Sequence, residues 1–228
     1  RGASRVWSET SVEREHREIL SPEHRTAARE IAREAIVLLT NRTVGDAPAL
    51  PMRRDMRSLA VIGSLAADSN SVLGAWHGIG RKQDAVSVLD GLRHALPNVS
   101  ITYAAGVPTD TVRVEGPVSS PGISEAEQLA RTADAVILVL GENADMSGEA
   151  ASRASVELPG AQLQLAQAVI RAARASNPNK SVIAVLMNGR PLAVQWLADS
   201  ASALIESWHL GVEHGNALAD VLFGEYSP

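Results

Sequence analysis

Between Gly141 and Gly160 the chain reads GENADMSGEAASRASVELPG, which places Glu142, Asp145, Glu149, Arg153 and Glu157 on one connecting segment. The apolar run Ala135–Leu140 ends immediately before it. A connection of about 18 residues is longer than most, and such loops are often functional. Carboxyl groups at this spacing suit general acid/base work, which needs a carboxyl raised in pKa by burial or by a neighbouring anion. A loop that closes over a substrate supplies such surroundings. The plain alternative is a solvated polar loop. Residue type and spacing do not separate Glu142 from Glu149, and both stand as candidates.

Other chemistries fit less well. A dinucleotide site wants G-x-G-x-x-G directly after the first strand of the fold, whereas Gly63 is followed by Ser-Leu-Ala-Ala-Asp. Gly74, Gly78 and Gly80 have the wrong spacing, and no G-x-x-x-x-G-K-[ST] loop occurs. His209 and His214 with Glu206 and Glu213 form the densest metal-like cluster, yet their spacing matches no established ligand pattern. No G-x-S-x-G elbow is present for a serine hydrolase. Trp76 and Trp208 each follow an apolar run and read as packing residues or as platforms for a sugar ring.

The elements that must position these residues alternate. Apolar runs at Leu59–Ile62, Val99–Tyr103, Ala135–Leu140, Val182–Met187 and Ala203–Ile205 are β-branched and nearly continuous, as in strands buried on both faces. Helical patterns fall between or after them at 84–96, 123–133, 160–175, 191–198 and 212–222. This predicts an α/β three-layer sandwich: a mostly parallel, six-stranded-type sheet with helices on both faces and right-handed crossovers. Ligands then bind outside the carboxyl ends of the strands, where the Gly141–Gly160 loop, Asn188-Gly189-Arg190-Pro191 and Glu206–Ala217 begin. Upstream, Ser21-Pro22-Glu23 is a helix start, with a hydroxyl cap, proline in the first turn and an acid behind it. That helix is predicted to run to about Leu39, although Ile36–Leu39 could equally form a short strand. Residues 1–20, with Trp7 and Ile19 as their main large apolar side chains, read as a connector from an upstream domain.

Composition narrows the class. The 228 residues suffice for one full core, and 45% hydrophobic with 21% charged residues reads as globular. No run reaches the roughly 18 apolar residues of a membrane span. The absence of cysteine excludes disulfides, thiolate metal sites and a cysteine nucleophile. A net charge of −5 without a basic block gives nucleic-acid binding no electrostatic support. Aromatics at 3% are sparse for a stand-alone sugar-stacking surface.

Taken together, HRTAAREIAREAIVLLTNR, SGEAASRASVELPGAQ, VLMNGRPLAV and ESWHLGVEHGNALADVLFGEYSP resemble the C-terminal α/β-sandwich domain of glycoside hydrolase family 3, nearest to bacterial periplasmic β-glucosidases. The likeness covers about residues 22–228, so residues 21–228 are assigned to that domain. It implies a retaining glycosidase acting on terminal non-reducing β-D-glucosyl residues of a small β-glucoside or oligosaccharide. It also implies a preceding TIM-barrel domain that carries the nucleophilic aspartate. The acid/base glutamate of the family's loop falls on Glu149, with Glu142 as runner-up. Trp76 and Arg153 fall where substrate or loop-anchoring contacts are expected. Many members have Asp before that arginine; this chain has Ser152.

The resemblance implies no cofactor and no metal, and it favours a periplasmic or secreted parent. Because a barrel needs about 200–250 residues, none fits before Ser21, and the family's sequence continues past Pro228. The expectation is therefore half of a split active site, inactive alone. The rival expectations are a non-catalytic carbohydrate-binding or interaction module without its barrel, and a flavodoxin-like nucleotide binder.

Overall fold

The computed structural model describes residues 11–109, 116–118 and 120–228; Trp7, in the segment expected to be a connector, lies outside them. Its central sheet has the order β1-β8-β7-β6-β4-β5, formed by β1 (Val37–Asn41), β4 (Ser58–Ile62), β5 (Ser100–Ala104), β6 (Ala135–Gly141), β7 (Val182–Met187) and β8 (Ala203–Glu206). All neighbours are parallel except β1, which runs antiparallel along β8. The strands β2 (Thr43–Val44) and β3 (Ala47–Pro48) form a separate small hairpin. Every residue of β6 and β7 is buried, as continuous apolar runs require.

Side chains alternate across the sheet into two cores. Leu59, Val61, Ile137, Val139, Ile183 and Val185 face the helices α3 (Val88–Ala95) and α7 (His214–Leu222). Ala60, Ile62, Val136, Leu138, Ala184 and Leu186 face α4 (Pro121–Thr132), α5 (Gln162–Ser176) and α6 (Gln195–Ser200). The chain thus forms the expected mixed, mostly parallel α/β sandwich with helices on both faces.

Caps set the helix starts. The Ser21 hydroxyl accepts the His24 amide ahead of α2 (Pro22–Ala35), and Ser87 and Ser120 cap α3 and α4 in the same way. The helix α2 ends at Ala35 rather than Leu39. Ile36 is extended, and the chain enters β1 to pair with β8. The helix α2 lies against α7 through Arg29, whose guanidinium grips the nearly buried Asp220 carboxylate with both Nε (2.7 Å) and Nη2, and through Arg25 to Glu213 at 2.6 Å. Ahead of α2, Val12–Glu18 forms a short helix, α1, capped by Ser11 and without a buried residue.

Two glycines bring α3 and α7 together. A Cβ on Gly91 would lie 2.1 Å from the Gly215 carbonyl carbon, and one on Gly215 would lie 1.9 Å from the Ser87 carbonyl oxygen.

Candidate functional site

The strand order reverses at β4: the chain passes from β4 outward to β5, then returns to place β6 on the other side. A crevice outside the carboxyl ends of β4 and β6 is the expected ligand position in such a sheet. A glycine stands at the carboxyl end of each, Gly63 just after β4 and Gly141 as the last residue of β6, for a steric reason. Gly63 (φ +121°) and Gly141 (φ +131°) adopt conformations closed to other residues, and a Cβ would sit 2.0 Å from Val139 O or 2.2 Å from Met187 O respectively.

The long loop leaves β6 at Gly141 and is tied at once to its own far end. The Gln162 side chain accepts the Gly141 amide at 2.7 Å and donates to the Gly141 carbonyl at 2.8 Å. Glu142 follows, with no exposed surface. Its carboxylate accepts Arg153 Nη1 at 2.5 Å, and Arg190 Nε lies 3.0 and 3.2 Å from its two oxygens. The Arg153 side chain is itself only 5% exposed, and its Nη2 donates to Glu157 O at 2.8 Å. Glu142 and Arg153 are therefore brought together as a buried ion pair under the loop, with neither group open to a substrate.

Beyond this anchor the loop rises. Ala144 N donates to the Ser71 hydroxyl (3.3 Å), which donates to Asp68 (2.6 Å) and so ties the loop to the segment after β4. The carbonyls of Met146 and Ala151 both accept Arg190 Nη2, the latter at 2.8 Å. Between them Gly148, Glu149 and Ala150 form the exposed tip, with φ +105° at Gly148 and +62° at Ala150. The tip rests on the β4 loop: a Cβ on Gly148 would lie 2.8 Å from Ala75 Cβ and 3.5 Å from the Trp76 indole nitrogen. Trp76 is 74% exposed. The two candidates that reach solvent, Glu149 and Trp76, thus lie on adjoining loops, with Glu149 next in sequence to the Gly148 that meets Trp76.

Beneath them, His209 Nε2 donates to Glu142 O at 3.1 Å. Burial lowers the His209 pKa, outweighing the opposing pull of the Glu142 carbonyl and carboxylate. Glu206, at the end of β8, accepts Trp208 N and Asn188 Nδ2, both at 3.0 Å. Burial raises its pKa against those two hydrogen bonds, and the nearby Glu142 charge adds to the rise. Trp208 is partly buried with a left-handed backbone, φ +55°. His214 is fully buried, and desolvation pushes its pKa down to about 3. Its Nδ1 accepts Leu210 N (3.2 Å), which leaves the proton on Nε2, 3.4 Å from Ser207 Oγ. Glu213 is engaged by Arg25 and by Asn216 Nδ2 at 2.7 Å. The His–Glu cluster thus resolves into separate structural pairs. Among the described residues no three His, Asp or Glu side chains are placed to hold a metal, and no helix is long and apolar enough to cross a membrane.

Sequence reasoning missed Arg190 and Gln162. The Asn-Gly-Arg-Pro segment was visible as a loop at a strand's carboxyl end. Gln162 carried no signal, because one amide at a helix start looks like any solvated residue.

Comparison with known proteins identifies the family. A family model described as the glycosyl hydrolase family 3 C-terminal domain matches residues 36–228. A periplasmic β-glucosidase of Salmonella typhimurium is 38% identical over 220 residues, covering 90% of this chain and 27% of the relative. A β-xylosidase of Formosa agariphila is 35% identical over 212 residues, with 90% and 27% covered. The crystal structure of the β-glucosidase from Listeria innocua in complex with isofagomine superposes with a TM-score of 0.78 at 33% identity, over 91% of this chain and 26% of that one. The chain spans about a quarter of the length of the relatives it matches. By the family model that matches most of its length, and by these relatives, the chain belongs to the C-terminal domain family of glycoside hydrolase family 3.

Proposed function

We propose that this chain is the part of a retaining β-glycosidase that supplies the acid/base carboxyl, Glu149, to a nucleophilic aspartate on a TIM-barrel domain of the same parent protein. The observation that carries this reading is the sorting of the two candidate glutamates. Glu142 is buried under two guanidiniums, whereas Glu149 is exposed at the tip of an anchored loop, next in sequence to the Gly148 that meets Trp76. A retaining mechanism needs two carboxyls about 5–5.5 Å apart. A tip that projects from its own domain can be brought to that distance from a group on another; a buried hub cannot.

In the first step the aspartate oxygen bonds to the anomeric carbon as the bond to the leaving oxygen breaks. The Glu149 carboxyl gives that oxygen its proton. In the second step the Glu149 carboxylate takes a proton from water as the water oxygen bonds to the anomeric carbon and the aspartate leaves. A general acid needs a desolvated carboxyl. Here that environment would come from substrate and barrel closing over the tip.

The preferred substrate is a terminal non-reducing β-D-glucosyl residue, as the β-glucosidase relatives suggest, with Trp76 as a platform on the leaving-group side. Relatives named as β-xylosidases keep the β-xyloside reading in view. A periplasmic or secreted parent is the reading that the periplasmic relative supports.

The test is Glu149→Ala in the full-length parent on an aryl β-glucoside. Turnover is expected to fall about 10²–10⁴-fold, the usual worth of a general acid/base, with the melting temperature unchanged. Near-normal turnover would overturn the assignment.

A further inference from the structure

Resting on that reading, we infer that Arg190 is the residue that positions the acid/base glutamate, by closing the neck of the loop that carries it. Its guanidinium has three attachments, and together they define the tip. Nε lies against the buried Glu142 carboxylate, and Nη2 donates both to Met146 O and to Ala151 O. Those carbonyls bracket Ser147–Ala150, the four residues that include Glu149. One nitrogen therefore joins the rising and the descending strand of the tip.

The arginine is held in turn. The Asn188 amide nitrogen donates to Arg190 O (2.9 Å) and to the Glu206 carboxylate (3.0 Å), which fixes the turn after β7. Gly189 completes the seat, because a Cβ there would stand 2.2 Å from the Ser147 hydroxyl. The tip is thus seated directly on the carboxyl end of a buried central strand.

Neutralising Glu142 does not require this arrangement, since Arg153 already pairs with it at 2.5 Å. What Arg190 adds is the planar fork that reaches a carboxylate and two carbonyls at once, which a single ammonium cannot reproduce. Arg190 touches the loop backbone and not the proposed reacting atoms, so it acts through Glu149. A misplacement of about 1 Å in such a group can cost about 10²-fold in rate.

The test compares Arg190→Ala, Arg190→Lys and Glu149→Ala in the full-length parent. The substrates are aryl β-glucosides from 2,4-dinitrophenyl, whose leaving group needs no proton, to phenyl, whose leaving group does. For Arg190→Ala, kcat/KM on the phenyl glucoside is expected to drop about 10²-fold. The dinitrophenyl glucoside should change little, and azide should raise turnover where deglycosylation limits. Arg190→Lys keeps the charge opposite Glu142 and should show the same selectivity, more weakly. It decides the matter if the alanine variant fails to fold. A uniform loss across all leaving groups without an azide response, or no loss at all, would overturn the positioning role. If Glu149→Ala itself lacks the leaving-group dependence, the acid/base assignment fails first and takes the role of Arg190 with it.

Discussion

Burial sorts the two glutamates of the long loop, a distinction that residue type could not make. Glu142 and Glu149 stood equal as carboxyls seven positions apart, and the family resemblance, rather than their spacing, favoured Glu149. In the folded chain Glu142 is the counter-charge of two arginines. Replacing it by Gln would leave two guanidiniums beside a neutral group and should destabilise the 228-residue chain by about 3–5 kcal/mol, read as a lower denaturation midpoint. A shift of a few tenths of a kcal/mol would show that the hub carries little.

His214 gives a second expectation at this scale. Above the unfolded pKa of 6.5 it is neutral in both states; below it the unfolded chain takes a proton that the folded chain refuses until about pH 3. Stability should therefore fall as pH drops from 6.5 toward 3, by up to about 1.4 kcal/mol per pH unit from this group. His214→Gln should flatten that dependence in urea titrations at pH 7, 6 and 5. An unchanged slope in the variant would contradict the account.

At the scale of elements, the strands most legible in the sequence were those whose surroundings are uniform. The runs at β6 and β7 are apolar on both faces, so no choice of face had to be made. Where tertiary pairing decides, local pattern was ambiguous. Ile36–Leu39 continues the helical spacing of α2, and only the free edge of β8 turns it into β1. The helical pattern at 191–198 begins as an irregular segment in which Ala193 N bonds to Val156 O (2.7 Å), so α6 starts at Gln195. The α3–α7 contact was invisible because glycine carries no periodic signal. Gly91→Ala must push the helices apart and is expected to cost about 1–3 kcal/mol or more, measured by chemical denaturation. A neutral effect would mean that the helices can separate freely at this point.

At the scale of the whole molecule, the two candidate residues that reach solvent sit on loops at one end of the sheet. The loops after β4 and β6 flank the switch point and carry Trp76 and Glu149 outward. The fold class was readable because βαβ alternation leaves few topologies. The placement of these loops was not, because it depends on contacts such as Ser71 to Ala144 that join segments 73 positions apart. Trp76→Ala should change the stability of the chain by no more than about 0.5 kcal/mol, as for an exposed side chain. In the parent it should raise KM for disaccharides more than for aryl glucosides. An equal effect on both would remove Trp76 from the leaving-group side. The 228-residue chain alone is expected to show no turnover of an aryl β-glucoside.

The most direct measurement is the anomeric product formed by the full-length Glu149→Ala parent from 2,4-dinitrophenyl β-D-glucoside with added azide. Azide needs no general base, so a glycosyl-enzyme stranded without its acid/base should be captured as β-glucosyl azide, with turnover rising as azide is added. The absence of any azide adduct, with hydrolysis proceeding at the unaltered rate, would contradict the assignment of Glu149.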